Sequence, residues 1–95
     1  MVVGVGTVQL YIPEAHSLKE KRAVVRRVVQ RVKNQFEISV AEVDSLDLHQ
    51  SATIGFAVVT NDSRLANSIL SKVVNFVEAL YLAQVSRADL EVLHV

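Results

Sequence analysis

Residues 51–62, SATIGFAVVTND, combine the clearest strand signal in the chain with the start of a helix. β-Branched residues recur through the first ten positions, and such side chains fit a pleated sheet. Bulky Ile54, Phe56 and Val58 alternate with small neighbours, which is the period of two expected for a strand. Asn61-Asp62-Ser63 then offers N-cap side chains for a helix. This stretch therefore predicts a strand that leads directly into a helix.

The residues that follow keep a helical period and then return to alternation. The polar face of this second helix is nearly uncharged, and no glycine marks its end. Residues 87–95, RADLEVLHV, alternate and predict a final strand. The apolar face of the helix is formed by Leu65, Ile69, Val73, Phe76, Val77 and Leu80.

An earlier helix is predicted within residues 16–36, HSLKEKRAVVRRVVQRVKNQF. Ser17 and Glu20 have the spacing of a capping box. In this motif the serine side chain accepts a hydrogen bond from the amide three residues later, and the glutamate side chain reaches back to the start of the helix. The apolar residues that follow lie on one side at 100° per residue. Lys21 falls on that apolar side, so it must extend to the surface or find a partner.

Two further strands flank this helix. Residues 1–12, MVVGVGTVQLYI, have no basic lead-in and are too short to span a membrane, so we interpret them as a strand rather than a signal peptide. Residues 36–45, FEISVAEVDS, alternate until Val43 breaks the phase, which predicts a bulge near Ala41 and Glu42. Acids on this strand are interpreted as protection of a sheet edge.

The order strand, helix, strand, strand, helix, strand predicts an α+β fold, a ferredoxin-like βαββαβ sandwich in one domain of residues 1–95. One four-stranded antiparallel sheet should carry both helices on one face, with the second and fourth strands outermost. The two glycines of the first strand, Gly4 and Gly6, should let a helix pack closely. The predicted strands are 2–12, 37–45, 51–60 and 88–95, and the predicted helices are 18–35 and 63–81.

The first helix also concentrates positive charge, although the chain as a whole has zero formal net charge. The stretch from residue 16 to residue 36 holds seven of the ten Lys and Arg residues and one acid, Glu20. A solvated helix usually mixes signs, so this clustering suggests contact with RNA phosphates. The alternatives are ordinary solvated surface and neutralisation by neighbouring acids, such as Glu37 or those of the second strand. The candidate phosphate-contacting residues are Lys19, Lys21, Arg22, Arg26, Arg27, Arg31 and Lys33.

Other chemistry has little support in the sequence. The chain has no cysteine and no Gly-x-Ser-x-Gly elbow, so nucleophilic catalysis is not indicated. A carboxylate–histidine metal site at Asp44, Asp47 and His49 matches no standard spacing, and His16 could join it only if the loops met. Glu42 and Asp44 could share a strand face, but nothing indicates a pocket around them. We therefore expect no enzyme, no metal and no cofactor.

One segment is similar to a nucleic-acid motif. Residues 54–60, IGFAVVT, match part of the third-strand octapeptide of RNA-recognition motifs. Ile54 replaces the basic residue and Val58 replaces the second stacking aromatic, while the first strand offers only Tyr11. The sheet should therefore lack a base-stacking platform.

Three segments, HSLKEKR, SVAEVD and AVVTND, occur in an order that resembles the YlxP-like family of small bacterial proteins. This resemblance implies a ferredoxin-like fold and brings no catalytic residues with it. Members of that family are often encoded near translation and ribosome-maturation factors, which implies an accessory or binding protein linked to RNA or the ribosome. This is an association rather than a mechanism.

We therefore expect a cytoplasmic, non-enzymatic protein of translation or RNA metabolism. The alternative is an interaction module that self-associates and has no nucleic-acid affinity. Two helices can cover only one face of the sheet, and the central strands are apolar on both faces. An uncovered apolar face predicts a homodimer or a larger closed oligomer. Neither a membrane nor a small-molecule substrate is expected as a partner.

Overall fold

The computed structural model describes residues 1–95 and contains six regular elements. Both helices have side-chain N-caps, which satisfy amides that the first turn leaves unpaired. The Asp62 carboxylate accepts hydrogen bonds from the amides of Arg64 and Leu65. In chain order the elements are β1 (Val2–Tyr11), α1 (Leu18–Gln35), β2 (Ser39–Asp44), β3 (Ser51–Thr60), α2 (Ser63–Ala79) and β4 (Gln84–His94).

The four strands form one antiparallel sheet in the order β2-β3-β1-β4. This arrangement confirms the ferredoxin-like βαββαβ fold and the outer positions of the second and fourth strands. α1 packs mainly on β2, and α2 packs mainly on β1 and β4. Both helices therefore cover one face of the sheet and leave the other face open.

The core lies between the two helices and the covered face of the sheet. Ile54 and Phe56 of β3 are buried there, as predicted for the bulky set of that strand. Val28 of α1 and Leu70 of α2 are also buried in this cluster. The helices meet at their ends, where the rings of Phe36 and Phe76 form an edge-to-face pair with centroids 5.5 Å apart.

The two glycines of β1 make room for different neighbouring side chains. A Cβ on Gly4 would lie 3.2 Å from Leu70 Cδ1 of α2, so this glycine allows close helix packing as predicted. A Cβ on Gly6 would lie 2.5 Å from the Phe56 ring and 2.9 Å from Leu90 Cδ2. Gly6 therefore makes room for side chains of the neighbouring strands, and the prediction that it admits a helix is wrong.

Three boundaries differ from the prediction by two residues or more. β2 begins at Ser39 rather than residue 37. β4 begins at Gln84, four residues before the predicted start, because a register shift opposite Gln9 and Leu10 interrupts its alternation. α2 ends at Ala79 because Tyr81 adopts a positive φ of 53°, which a continuing helix does not allow.

Candidate nucleic-acid interface

The orientation of α1 is fixed at its N-terminus and along its buried face. Ser17 Oγ accepts a hydrogen bond from the Glu20 amide at 3.1 Å, and Glu20 Oε2 accepts one from the His16 amide at 2.6 Å. The Ser17 bond is the one that the capping box predicts, whereas Glu20 reaches one residue further back, to the amide of His16 rather than that of Ser17. The residues of α1 buried against the sheet are Lys21, Val25, Val28 and Val32.

Six basic side chains of α1 are exposed, and together they are called the basic surface. None of the six takes part in an ion pair or in a side-chain hydrogen bond. The predicted alternative, neutralisation by neighbouring acids such as Glu37, is therefore wrong for these six. The basic surface consists of Lys19, Arg22, Arg26, Arg27, Arg31 and Lys33.

Lys21 does not belong to the basic surface, which corrects its inclusion among the candidate phosphate contacts. Its side chain is 0% exposed, and its Nζ lies 2.7 Å from Glu42 Oε2. Nζ donates hydrogen bonds to the carbonyl oxygens of Ser45 at 2.7 Å and Leu46 at 3.3 Å. The contact with Oε2 lacks hydrogen-bond geometry and is an ion pair only. Lys21 lies on the apolar side of α1 and is paired there with Glu42, as a buried cation requires.

The basic surface has two parts that differ in their direction around α1. Val24 faces the segment that follows α2, because it lines one depression together with Leu82. At 100° per residue, Arg22 lies on the opposite flank, with Lys19, Arg26 and Lys33 close to the same direction. This flank is about 21 Å long, at 1.5 Å per residue. Of the other two cations, Arg27 lies nearer the outer side of the helix, and Arg31 lies within about 20° of Val24 on the flank opposite Arg22.

The acidic candidates Glu42 and Asp44 lie on different faces of the sheet. A register shift separates Glu42, which pairs with Ile54 on the covered face, from Asp44, which pairs with Thr53 on the open face. The two carboxylates therefore do not share a face, and the bulge lies at Val43, next to its predicted position. Glu42 binds Lys21 and points inward from an edge strand, which is compatible with the predicted edge protection.

The loops do bring His16 and His49 together, since both line one depression beside Gln50. Asp44 and Asp47 do not line it. No group of three histidine, aspartate or glutamate side chains in the chain could hold a metal ion.

Aromatic side chains on the open face of the sheet are limited to Tyr11, near the end of β1, so paired stacking aromatics are absent there as predicted. Sequence reasoning missed Tyr81, which is 90% exposed and lies just after α2. The only sign of Tyr81 in the sequence is that no glycine or asparagine stands at the end of the helix. Those residues normally occupy the positive-φ position there, so another residue has to take it.

Neither helix combines the length and apolarity that crossing a lipid bilayer requires.

The fold and the basic surface define a small ferredoxin-like α+β protein with one unpaired cationic helix. The family described as "Protein of unknown function (DUF503)" matches residues 3–90, and the chain belongs to this family. The uncharacterized protein YlxP of Bacillus subtilis (strain 168) is 33% identical over 78 residues, which cover 82% of this chain and 85% of that protein. The resemblance indicated by the sequence segments is therefore confirmed.

A designed protein of known structure shares the fold. The solution structure of a de novo designed protein with a ferredoxin fold has a TM-score of 0.54 and 16% identity, and the match covers 98% of this chain and 83% of that chain. A crystal structure of an antibiotic biosynthesis monooxygenase has a TM-score of 0.49 and 14% identity, covering 100% and 98% of the two chains. Similarity at these levels concerns the architecture and not an activity.

Proposed function

We propose that this protein is a cytoplasmic, non-enzymatic binding protein whose basic surface contacts the phosphates of RNA. The observation that supports this proposal is the set of six exposed cations on α1 that have no acidic partner. Phosphate groups are the chemistry that such a row of Lys and Arg side chains recognises. The family's association with translation factors, implied by the resemblance, agrees with an RNA partner.

Self-repulsion within α1 argues for a polyanionic partner. Arg22 and Arg26 are four residues apart, as are Arg27 and Arg31, and like charges at this spacing destabilise a helix. Lys19 also stands in the first turn, where the helix dipole disfavours a cation. A bound phosphate backbone would relieve both effects. A helix optimised only for solvation would instead place Glu residues among these cations.

The contact should be directed at the backbone of the RNA. The basic surface contains no aromatic side chain on which a base could stack. Lys and Arg side chains on phosphates fix position but carry no sequence information. Binding should therefore depend strongly on salt and weakly on sequence.

The test is RNA affinity as a function of salt for the double variant Arg22→Ala with Arg26→Ala. The matched control is Arg64→Ala with Lys72→Ala, which removes two exposed cations from α2 instead. Fluorescence anisotropy with a labelled single-stranded RNA, between about 50 and 200 mM salt, gives the salt slope. The α1 variant should lose affinity for unrelated sequences alike, and its slope should fall by about 0.7 for each lost contact. The control should retain both.

Equal losses in the two variants would show that net charge, and not the basic surface, produces binding. Absence of binding by the native protein at low salt would reject the RNA proposal. A stable oligomer without any RNA affinity would instead support the rival function, a self-associating interaction module.

A further inference from the structure

The face of the sheet opposite the helices is apolar at the end where β1 begins. Antiparallel pairing places Val3 beside Val59 and Val5 beside Ala57, so these four side chains point to the open face together. Val59 is 65% exposed, although it is β-branched and lies in a central strand. We call this group, with its neighbours on the same face, the open apolar patch. It comprises Val3, Val5, Ala41, Val43, Ala57, Val59 and Leu93.

The bulge in β2 brings Val43 onto this patch. A Cβ on Gly55 would lie 2.8 Å from Val43 Cγ1, so the Val43 side chain lies across the glycine. Val43 is nevertheless 54% exposed. A shallow groove of about 320 Å³ runs between Val43 and β1, with Ala41 and Ala57 in its walls. Apolar side chains on one face of a sheet can pack against the inner face of a second sheet.

The charged side chains of the open face lie on its two edge strands, with Asp44 on β2 and Arg87, Asp89 and Glu91 on β4. Arg87 of β4 lies opposite Gln9, Gln9 lies opposite Thr53, and Thr53 lies opposite Asp44 of β2. Arg87 and Asp44 are therefore at opposite ends of one row, and both are exposed. Arg87 also pairs with Asp89 on its own strand, with Nε and Oδ2 2.8 Å apart.

We propose that the open face binds a second copy of this chain, sheet against sheet, about a two-fold axis that runs along the strands between β1 and β3. Rotation about this axis keeps each residue at its level along the strands. It places β1 of one copy over β3 of the other, and β4 over β2. Val3 then meets Val59 of the second copy, so the apolar rows face each other. Arg87 meets Asp44 of the second copy, and symmetry repeats this pair at the other edge.

The size of the face fits this occupant. Ten residues of β1 extend about 33 Å, and four strands extend about 19 Å across, which gives roughly 600 Å² in projection. Accessible area exceeds projected area, and a standard interface buries about 800 Å² per partner. A second copy supplies the same apolar patch and an Asp44 carboxylate for each Arg87, while Asp89 and Glu91 lie over Ala41 and Ser39 of the second copy at the rim.

The arrangement leaves α1 accessible in both copies, because α1 lies on the covered face of each sheet. The dimer would carry one basic surface on each of its two outer sides. Dimerisation is independent of the proposed RNA function, and a monomeric variant should still bind RNA through its single basic surface.

Sedimentation equilibrium of the full chain tests the proposal. The native protein should show twice the chain mass of 10.5 kDa. Val59→Glu should raise the dimer dissociation constant by about tenfold or more, because it buries a carboxylate in the apolar rows. The control Leu65→Glu places the same charge on an exposed leucine of α2 and should leave the dimer intact.

A charge exchange tests the geometry without relying on the apolar substitution. Arg87→Glu should weaken the dimer, and adding Asp44→Arg to that variant should restore it. A concentration-independent monomer mass for the native chain would overturn the proposal. So would a dimer that Val59→Glu leaves unchanged, or a charge exchange that fails to restore association.

Discussion

Lys21 Nζ lies 2.7 Å from Glu42 Oε2, with the lysine side chain fully buried and the glutamate side chain 15% exposed. The pair joins α1 to the edge strand β2. Lys21 Nζ also donates a hydrogen bond to the carbonyl oxygen of Ser45, a residue with a positive φ of 61°. One cation of the basic stretch therefore serves the fold, by fixing the start of the β2–β3 loop beneath the helix.

Lys21→Met should lower the free energy of unfolding by about 2–4 kcal/mol, because it leaves a carboxylate and two carbonyl oxygens without their cation. Urea denaturation measures the loss. Lys72→Met is the control, since Lys72 is exposed on α2 and makes no ion pair, and it should change stability by less than about 0.5 kcal/mol. Equal effects would contradict a structural role for Lys21. If RNA binds, Lys21→Met should also leave the salt slope unchanged.

Tyr81→Gly should stabilise the protein by about 0.5–1 kcal/mol. Tyr81 has a φ of 53°, which glycine adopts without the steric cost that a side chain incurs. Because the ring is 90% exposed, its removal forfeits little packing. Thermal unfolding should give a raised Tm. Ala79→Gly, two residues earlier in the right-handed part of α2, should lower it. A lowered Tm for Tyr81→Gly would show that the exposed ring contributes to the fold.

Gly6→Ala should cost about 1–3 kcal/mol, because its Cβ would lie 2.5 Å from the buried ring of Phe56. Gly55→Ala also brings a Cβ close to a neighbour, but that neighbour is the exposed side chain of Val43, which has solvent to move into. This control should change stability by less than about 0.5 kcal/mol. Chemical denaturation of both variants measures the difference. Adding Phe56→Leu to Gly6→Ala should recover part of the loss, and no recovery would argue against the ring as the cause.

Sequence period and caps determined the architecture. The bounds of α1 follow from Ser17, Glu20 and the valine stripe, since capping and amphipathicity act between residues less than two turns apart. The order of elements and the handedness of crossovers then leave one sheet order, which the structure has. The alternation of β3 also determined which of its side chains lie beneath the helices.

The roles of individual charges were decided by tertiary structure. The sequence places Lys21 among seven clustered cations, and only the packing of α1 on β2 removes it from the six that remain exposed. The bulge at Val43 directs Glu42 to the covered face and Asp44 to the open face, although a regular strand would place them together. Local patterns specify helices and strands because those depend on nearby residues. Charge partners depend on contacts between residues far apart in the chain, and a register shift of one position reassigns them.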